Sequence, residues 1–361
     1  MKYELCRFGD LVVNFDRKRI PLSAKERAER QGGYRYYGAQ GVIDYINDYL
    51  FDGRYMLIAE DGENLSSKKQ NIAQIVEGRF WVNNHAHILR SRFGSTGNSF
   101  LMDYLEYAIN SMDLSGYITG SAQPKLSQNN LNAVEIALPD LETQDAIISV
   151  IKPIDSKIEV NRAINHNLEQ QAFALFDYLF PNISDGLCTI GDYITPKRGR
   201  NLLSKDAVPG TVPVVAGGLE PSTYHNIANT LAPVLTISAS GANAGFVNLW
   251  HKPVWSSDSS FIDSSMTKDV YFWFVMLKKR QREIFDAQTG SAQPHIYPQH
   301  IAAMTIRSLD QALMSNFTSQ VTPLFALIGA NKDENDRLTS VRDALLPKLI
   351  SGEIDVSEIE V

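Results

Sequence analysis

Apolar residues spaced alternately three and four apart run through residues 147–179, at Ile147, Ile151, Ile154, Ile158, Leu168, Ala172, Leu175 and Leu179, with Asn161 and Asn165 on the two middle rungs. The ladder returns 170 residues later as Phe317, Val321, Leu324, Ile328, Asn331, Asn335, Leu338, Arg342, Leu345 and Leu349. Both are a/d heptad seams of long amphipathic helices. Such a seam needs a partner, and an antiparallel alignment about the midpoints lets the two seams satisfy each other. Asn161 then meets Asn335, and Asn165 meets Asn331. Amides at core positions cost stability unless paired and penalise every slipped alignment, so this polar layer is expected to fix register.

The repeat extends beyond the helices. Gly120-Ser121-Ala122-Gln123-Pro124 recurs as Gly290-Ser291-Ala292-Gln293-Pro294, and Pro153 matches Pro323 at the same offset. Earlier, the apolar run at 55–59 before Gly62 resembles 234–238 before Gly241, and Cys6, Gly9 and Asp10 match Cys188, Gly191 and Asp192. The offset shrinks along the chain, which places extra loop residues in the first half. The pattern is a tandem duplication in which a globular domain and a long helix each occur twice. The expected fold is mixed α/β (α+β): two globular domains with small mixed sheets, separated by two long helices forming an antiparallel coiled coil, with pseudo-two-fold internal symmetry. The expected boundaries are 1–138, 139–180, 181–307 and 308–361.

Composition narrows the class. A chain of 361 residues with 44% hydrophobic content can bury two cores of ordinary size. The longest apolar run, residues 270–277, is eight residues, too short to span a bilayer, and Lys2, Glu4, Arg7 and Asp10 interrupt any secretory signal. A cytoplasmic location without membrane contact is expected. The two cysteines sit at matched repeat positions, as a shared framework site does. The net charge of −7 is unevenly spread: the globular stretches sum to +2 and the helical stretches to −9. The acid therefore lies on the helices, which leaves the globular parts free to face DNA.

Along the first half, a basic segment with Arg17, Lys18 and Arg19 precedes Tyr34-Arg35-Tyr36-Tyr37. Cations mixed with aromatics suit phosphate and base contacts, and they equally suit a solvated loop and a strand. A second polar, basic loop, Ser66-Ser67-Lys68-Lys69-Gln70, lies before a strand-like segment. His85 and His87 alternate on one strand face, with no cysteine or carboxylate pattern nearby in sequence to complete a metal site. In the second half, Thr195-Pro196-Lys197-Arg198-Gly199-Arg200-Asn201 replaces the first basic segment. Its glycine suits close approach to a phosphate backbone. Ser240-Gly241-Ala242-Asn243-Ala244-Gly245 lacks the spacing of a nucleotide loop and leads into a strand, so it reads as a hairpin turn. A helix is expected over 268–285, with its run Lys278-Lys279-Arg280-Gln281-Arg282 as a solvated face. Lys125 and His295 follow the repeated Gln-Pro at matched positions, and both are weak candidates to face DNA.

The candidate DNA-contacting set is therefore Arg17, Lys18, Arg19, Arg35, Tyr36, Ser67, Lys68, Lys69, Lys197, Arg198, Arg200 and Asn243, with Asn161, Asn165, Asn331 and Asn335 setting coiled-coil register and no metal site. Pro153 and Pro323 remove backbone donors inside the ladders and are expected to kink or restart the helices. The uninterrupted seam, residues 154–179, would extend about 39 Å at about 1.5 Å per residue. Antiparallel pairing would put the globular domains at opposite ends of that stalk. Its length is a little over one turn of B-DNA, about 34 to 36 Å.

Across essentially the whole chain, these features resemble the specificity subunit of type I restriction-modification systems. The resemblance is carried by the Gly-Ser-x-Gln-Pro elements, by the helix entry Leu138-Pro139-Asp140-Leu141-Glu142-Thr143-Gln144, and by the closing Leu345-Leu346-Pro347-Lys348-Leu349-Ile350-Ser351-Gly352-Glu353-Ile354. Arg307-Ser308-Leu309-Asp310 departs from the Leu-Pro-x-Leu wording at the second helix entry. The resemblance implies two target recognition domains reading the halves of a bipartite, asymmetric double-stranded DNA target across a gap set by the helix pair. It also implies docking of two methyltransferase subunits that use S-adenosylmethionine to methylate adenine, and of two restriction subunits that use ATP and Mg, with no cofactor held by this chain. The chain carries no adenine-binding Asn-Pro-Pro-Tyr-like motif and no phosphate loop, so it is expected to be non-catalytic. Three rival readings are a coiled-coil protein scaffold that does not read DNA, a specificity subunit of a modification-only system, and an enzyme with a site assembled between the domains.

Overall fold

The computed structural model describes residues 3–67, 70–93, 99–120, 123–290 and 293–359. It divides into two compact units, Met1–Lys157 with Arg337–Val361, and Ile158–Asp336. Each unit contains one mixed α/β part and segments of both long helices.

The long helices are Leu141–Leu179 and Gln311–Ser351. In the second unit Ile158, Ala172, Phe317, Val321 and Ile328 are buried, and Asn161 is fully enclosed. Here Asn161 Nδ2 donates to Asn335 Oδ1 at 2.9 Å and Asn331 Nδ2 donates to Asn165 Oδ1 at 2.8 Å. Rising numbers on one helix meet falling numbers on the other, so the segments are antiparallel. In the first unit Arg342 Nη1 donates to Asp155 Oδ1 at 2.7 Å, in the same antiparallel sense. Buried positions outside the ladder, among them Phe176, Phe180 and Phe325, widen the apolar stripe so that the helices also pack on the α/β part.

The prolines do not restart the helices. Both helices run through Pro153 and Pro323. Packing on either side of each proline keeps the helix continuous: Ile151 is buried before Pro153 while Asp155 after it is tied to Tyr107 and Arg342. Val321 and Phe325 are buried around Pro323.

In the first unit the strand Tyr55–Ala59, buried at all five positions, lies between Ala73–Val76 and Ala86–Ser91, with Val12–Asn14 at the edge. A second four-stranded sheet orders Gly41–Ile46, Gln31–Gly38, Arg79–Val82 and Phe51–Asp52, and its Gln31–Gly38 and Arg79–Val82 pair is parallel. Helix Ser99–Ser111 covers the first sheet. Its core of Phe8, Met56, Ile58, Leu89, Tyr104 and Leu105 is continuous with Ile147, Ile151 and Leu349 of the long helices.

The second unit repeats this plan. Val234–Ser238 lies between Val247–Trp250 and Ser259–Asp263, with Lys197–Arg198 at the edge. A smaller sheet orders Thr223–His225, Val212–Val215 and Trp255–Ser256, again with a parallel pair. A two-stranded sheet opens each α/β part. Cys6 faces Ile136 in one and Cys188 faces Ile306 in the other, and both thiols are free and half-buried.

The helix expected over 268–285 is two, Val270–Lys279 and Gln281–Asp286. Arg280 between them is buried, donating to the Glu283 carboxylate at 2.8 and 2.6 Å and to the Thr305 carbonyl at 2.9 Å. Lys278 donates to the Val247 carbonyl at 2.9 Å and lies 4.3 Å from the centre of the Phe246 ring. These two cations are framework groups, which corrects their reading as a solvated face.

Candidate nucleic-acid interface

The five-residue repeat opens, in both units, on a position that requires glycine. Gly120 has φ +85°, and a Cβ there would lie 2.4 Å from the Gln123 carbonyl oxygen. Gly290 has φ +94°, with the Gln293 oxygen at 2.6 Å. Any side chain would force the backbone apart at both places. The residues flanking the repeat are tied together: Thr119 and Lys125 exchange N–H···O bonds of 2.9 and 2.7 Å, and Thr289 and His295 exchange bonds of 3.0 and 2.8 Å. The same segment is zipped onto the end of the central strand. Leu126 N–H donates to the Glu60 carbonyl at 2.8 Å and Ile296 N–H to that of Ala239 at 2.9 Å. Gln123 and Gln293 are exposed beside it.

One neighbouring loop completes the constellation. Ala59 faces Ala86 in the first unit, and Ser238 faces Ser259 in the second. The next backbone bonds also match, with Glu60 N–H donating to the His85 carbonyl at 2.9 Å and Ala239 N–H to that of Asp258 at 3.1 Å. Positions 61 and 240, 85 and 258, and 125 and 295 are thus equivalent on one frame. The side chains they carry are unlike. In the first unit His85 Nδ1 lies 2.7 Å from Asp61 Oδ2. In the second, Ser240 Oγ donates to Asp258, which also takes the guanidinium of Arg198.

Beneath the first set lies a buried charge layer. His87 Nδ1 is 2.6 Å from Asp16 Oδ2 and its Nε2 is 2.8 Å from the Leu126 carbonyl, so both ring nitrogens face acceptors. Glu60 accepts from Arg19 at 2.8 Å and pairs with Lys125 at 3.2 Å. Burial acts to raise Asp16 and Glu60, but hydrogen bonds from His87 to Asp16 and from Arg19 to Glu60 hold both carboxyls below their usual values. Ligand-type atoms of Asp16, Glu60 and His87 do lie within 4.8 Å of one another. The fold thus brings two carboxylates to His87 that no local pattern had placed there, and Arg19 and Lys125 supply their counter-charge.

The structure sorts the predicted contact residues. Arg17 and Lys18 are exposed on the short helix Asp16–Lys18, with the Lys18 ammonium 5.3 Å from the Phe15 ring centre. Arg19 is not available to DNA: its guanidinium is held by Glu60 and by the carbonyls of Asn84 and Ala86, at 3.3 and 2.9 Å, and positions the His85 loop. Tyr36 is likewise corrected, being fully buried with its hydroxyl accepting from Leu22 N–H at 2.9 Å. Arg35 donates to the Glu77 carbonyl at 2.6 Å and lines a cavity with Arg54, Glu106 and Lys152, apart from the constellation. Ser67 is exposed at the end of Asn64–Ser67, and Lys68 and Lys69 lie outside the described residues. Lys197, Arg198 and Arg200 are exposed on and just after one edge strand, and half-buried Asn243 lies in the hairpin turn that begins at Ser240.

Asp61, His85, Ser240 and Asp258 were not singled out as a matched set by their sequence context, although the repeat offsets on either side of them pointed to it. The same holds for Thr119 and Thr289, whose hydroxyls face the carbonyls of Lys125 and His295 at 3.3 and 3.4 Å.

Two copies of one backbone frame thus carry unlike polar sets at matched positions. Residues 2–170 match the model of the type I restriction modification DNA specificity domain. The chain is 31% identical over 140 residues to a Haemophilus influenzae protein named as a putative type I restriction enzyme specificity subunit, covering 39% of this chain and 34% of that one. It is 27% identical over 302 residues to the type I restriction enzyme MjaIX specificity subunit of Methanocaldococcus jannaschii, covering 71% of this chain and 70% of that one. The chain thus spans about a third of the first relative's length. The fold is similar to that of the type I restriction-modification S subunit from M. genitalium, with TM-score 0.59, 17% identity and coverage of 97% and 96% of the two chains. Among the described residues no helix is long and apolar enough to cross a membrane.

Proposed function

We propose that this chain is the non-catalytic DNA-specificity subunit of a type I restriction-modification complex. Each unit reads one half of a bipartite, asymmetric double-stranded target, and the helix pair sets the gap between the halves. Two methyltransferase subunits and two restriction subunits dock on it, and S-adenosylmethionine, ATP and Mg belong to those partners. The observation that carries this reading is the duplicated frame with unlike side chains at matched positions, in a chain whose residues 2–170 match the specificity-domain model. An asymmetric target requires that difference, because distinct base edges call for distinct donors and acceptors.

The test is to map methylated adenines in cells carrying the chain with its methyltransferase partners, before and after exchanging residues 181–307 for the corresponding part of another specificity subunit. One half of the target should change while the other half stays. A change in both halves, or methylation without sequence preference, overturns the proposal.

A further inference from the structure

The glycine-opened segment described above holds the same backbone pairing in both units, yet only part of its chemistry is shared. Gln123 and Gln293 are identical and cannot by themselves distinguish two half-sites. The matched positions around them differ in charge and in hydrogen-bonding type. In the first unit they are Asp61, His85 and Lys125, with the His85 and Lys125 side chains 47% and 54% exposed. In the second unit they are Ser240, Asp258 and His295, with Arg198 added from the edge strand and 42% exposed.

Three of the exposed donors are already ordered by an acid. Asp61 holds His85, Glu60 holds Lys125 and Asp258 holds Arg198. A side chain fixed in this way loses less rotamer freedom on binding, while its remaining donors stay open to solvent. Arg and Lys donors suit the O6 and N7 acceptors of guanine in the major groove. The imidazole of His295 runs nearly parallel to the Tyr297 ring, with centroids 5.9 Å apart and 14° between the planes.

Resting on the function proposed above, we infer that His85 and Lys125 in the first unit, and Arg198 and His295 in the second, contact base edges and set the sequence preference of their respective half-sites. Asp61, Asp258 and Ser240 are positioning residues, and Arg19 with Glu60 supports the first set from below.

The experiment uses the full chain expressed with its methyltransferase partners and carrying His85→Ala, Lys125→Ala, Arg198→Ala or His295→Ala singly, with methylated adenines mapped in each case. The first two variants should relax preference in one half of the target, and the other two in the other half. Discrimination at the affected base pair should fall on the order of ten-fold or more. Thermal melting of each variant reports its folding, and within each unit one variant serves if the other fails to fold. Variants that retain full discrimination in both halves overturn this assignment and leave the proposed function standing. A wild-type chain without sequence preference overturns both.

Discussion

The two units join their α/β part to the long helices through the same step and fill it with opposite chemistry. In the first unit Tyr107 donates to Asp155 Oδ2 and Arg342 to Asp155 Oδ1, both at 2.7 Å. One repeat offset away, Phe325 takes the place of Asp155 and Ala172 that of Arg342. Phe325 is buried, stacked on Tyr271 at 4.8 Å and 12° and edge-on to Phe274 at 5.6 Å. A polar triad and an aromatic cluster thus solve one packing problem. The shared heptads fix how the helices align, and the junction chemistry is free to diverge so long as each side is complementary.

The largest expected effect is on the aromatic side. Phe325→Ala removes a ring from a closed core and should cost about 3–5 kcal/mol. Urea unfolding followed by hydrogen exchange should place that loss in the second unit. Protection that falls equally in the first unit would show that the junctions are not independent.

Asp155→Ala leaves Tyr107 and Arg342 without their shared acceptor. Because the Arg342 and Asp155 side chains are 23% and 29% exposed, water screens part of the loss. The expected cost is about 1–3 kcal/mol. Changing both partners, Asp155→Phe with Arg342→Ala, should recover most of it, since apolar replacement of a buried pair is often neutral. A double variant no more stable than Asp155→Ala would mean that the first junction cannot accept the second junction's solution.

The junctions should also differ in pH response. Burial raises Glu106 of the first unit from 4.5 to about 7. The folded state then holds a proton that the unfolded chain has lost, so stability falls as pH rises between 4.5 and about 7. In the second unit burial lowers His251 from 6.5 to about 4, and its Nε2 is buried without a hydrogen-bond partner among the described residues. There the unfolded chain binds the proton first, so stability falls as pH drops from 6.5 to about 4. Between about pH 5 and 6.5 the two units should shift in opposite directions, each by on the order of 1 kcal/mol. Glu106→Gln should flatten the first slope and His251→Phe the second. Parallel slopes in the wild-type protein would contradict this assignment.

What was legible in the sequence follows from the range of each interaction. The seams, the Asn rungs and the glycine-opened repeat depend on spacings of a few residues, and the observed Asn161–Asn335 and Asn165–Asn331 bonds follow from those spacings alone. The charge layer was not legible, because Asp16, Glu60 and His87 meet only through strand pairing. Arg19 had the composition of a phosphate contact, yet its partner Glu60 is 41 residues away. Tyr36 alternates like a half-exposed strand residue, but on the side it faces it clusters with Ile46 and Trp81 of its own sheet, and Leu22 and Leu50 pack against that cluster. The helices do not restart at Pro153 or Pro323 for a related reason: a local donor is lost, and burial on both sides outweighs it.

The smallest expected effect on stability concerns the one feature the second unit holds at the centre of its helix pair. Asn161 Nδ2 donates to both Glu334 Oε2 and Asn335 Oδ1, at 2.7 and 2.9 Å, while its own Oδ1 is buried without a hydrogen bond among the described residues. The layer therefore carries an uncompensated acceptor, which costs about 1–3 kcal/mol. Asn161→Leu with Asn335→Leu removes that cost along with the bonds, so net stability should change by less than about 1 kcal/mol in either direction. What the amides supply is rejection of slipped alignments, because a shift of one heptad would bury them against apolar rungs. The double variant should therefore fold with near-normal melting yet show mixed register, read as new disulfide pairings between cysteines introduced one heptad out of alignment on the two helices. A single register in the leucine variant would place the specification elsewhere, in the packing of Phe176, Phe317 and Phe325 against the α/β part.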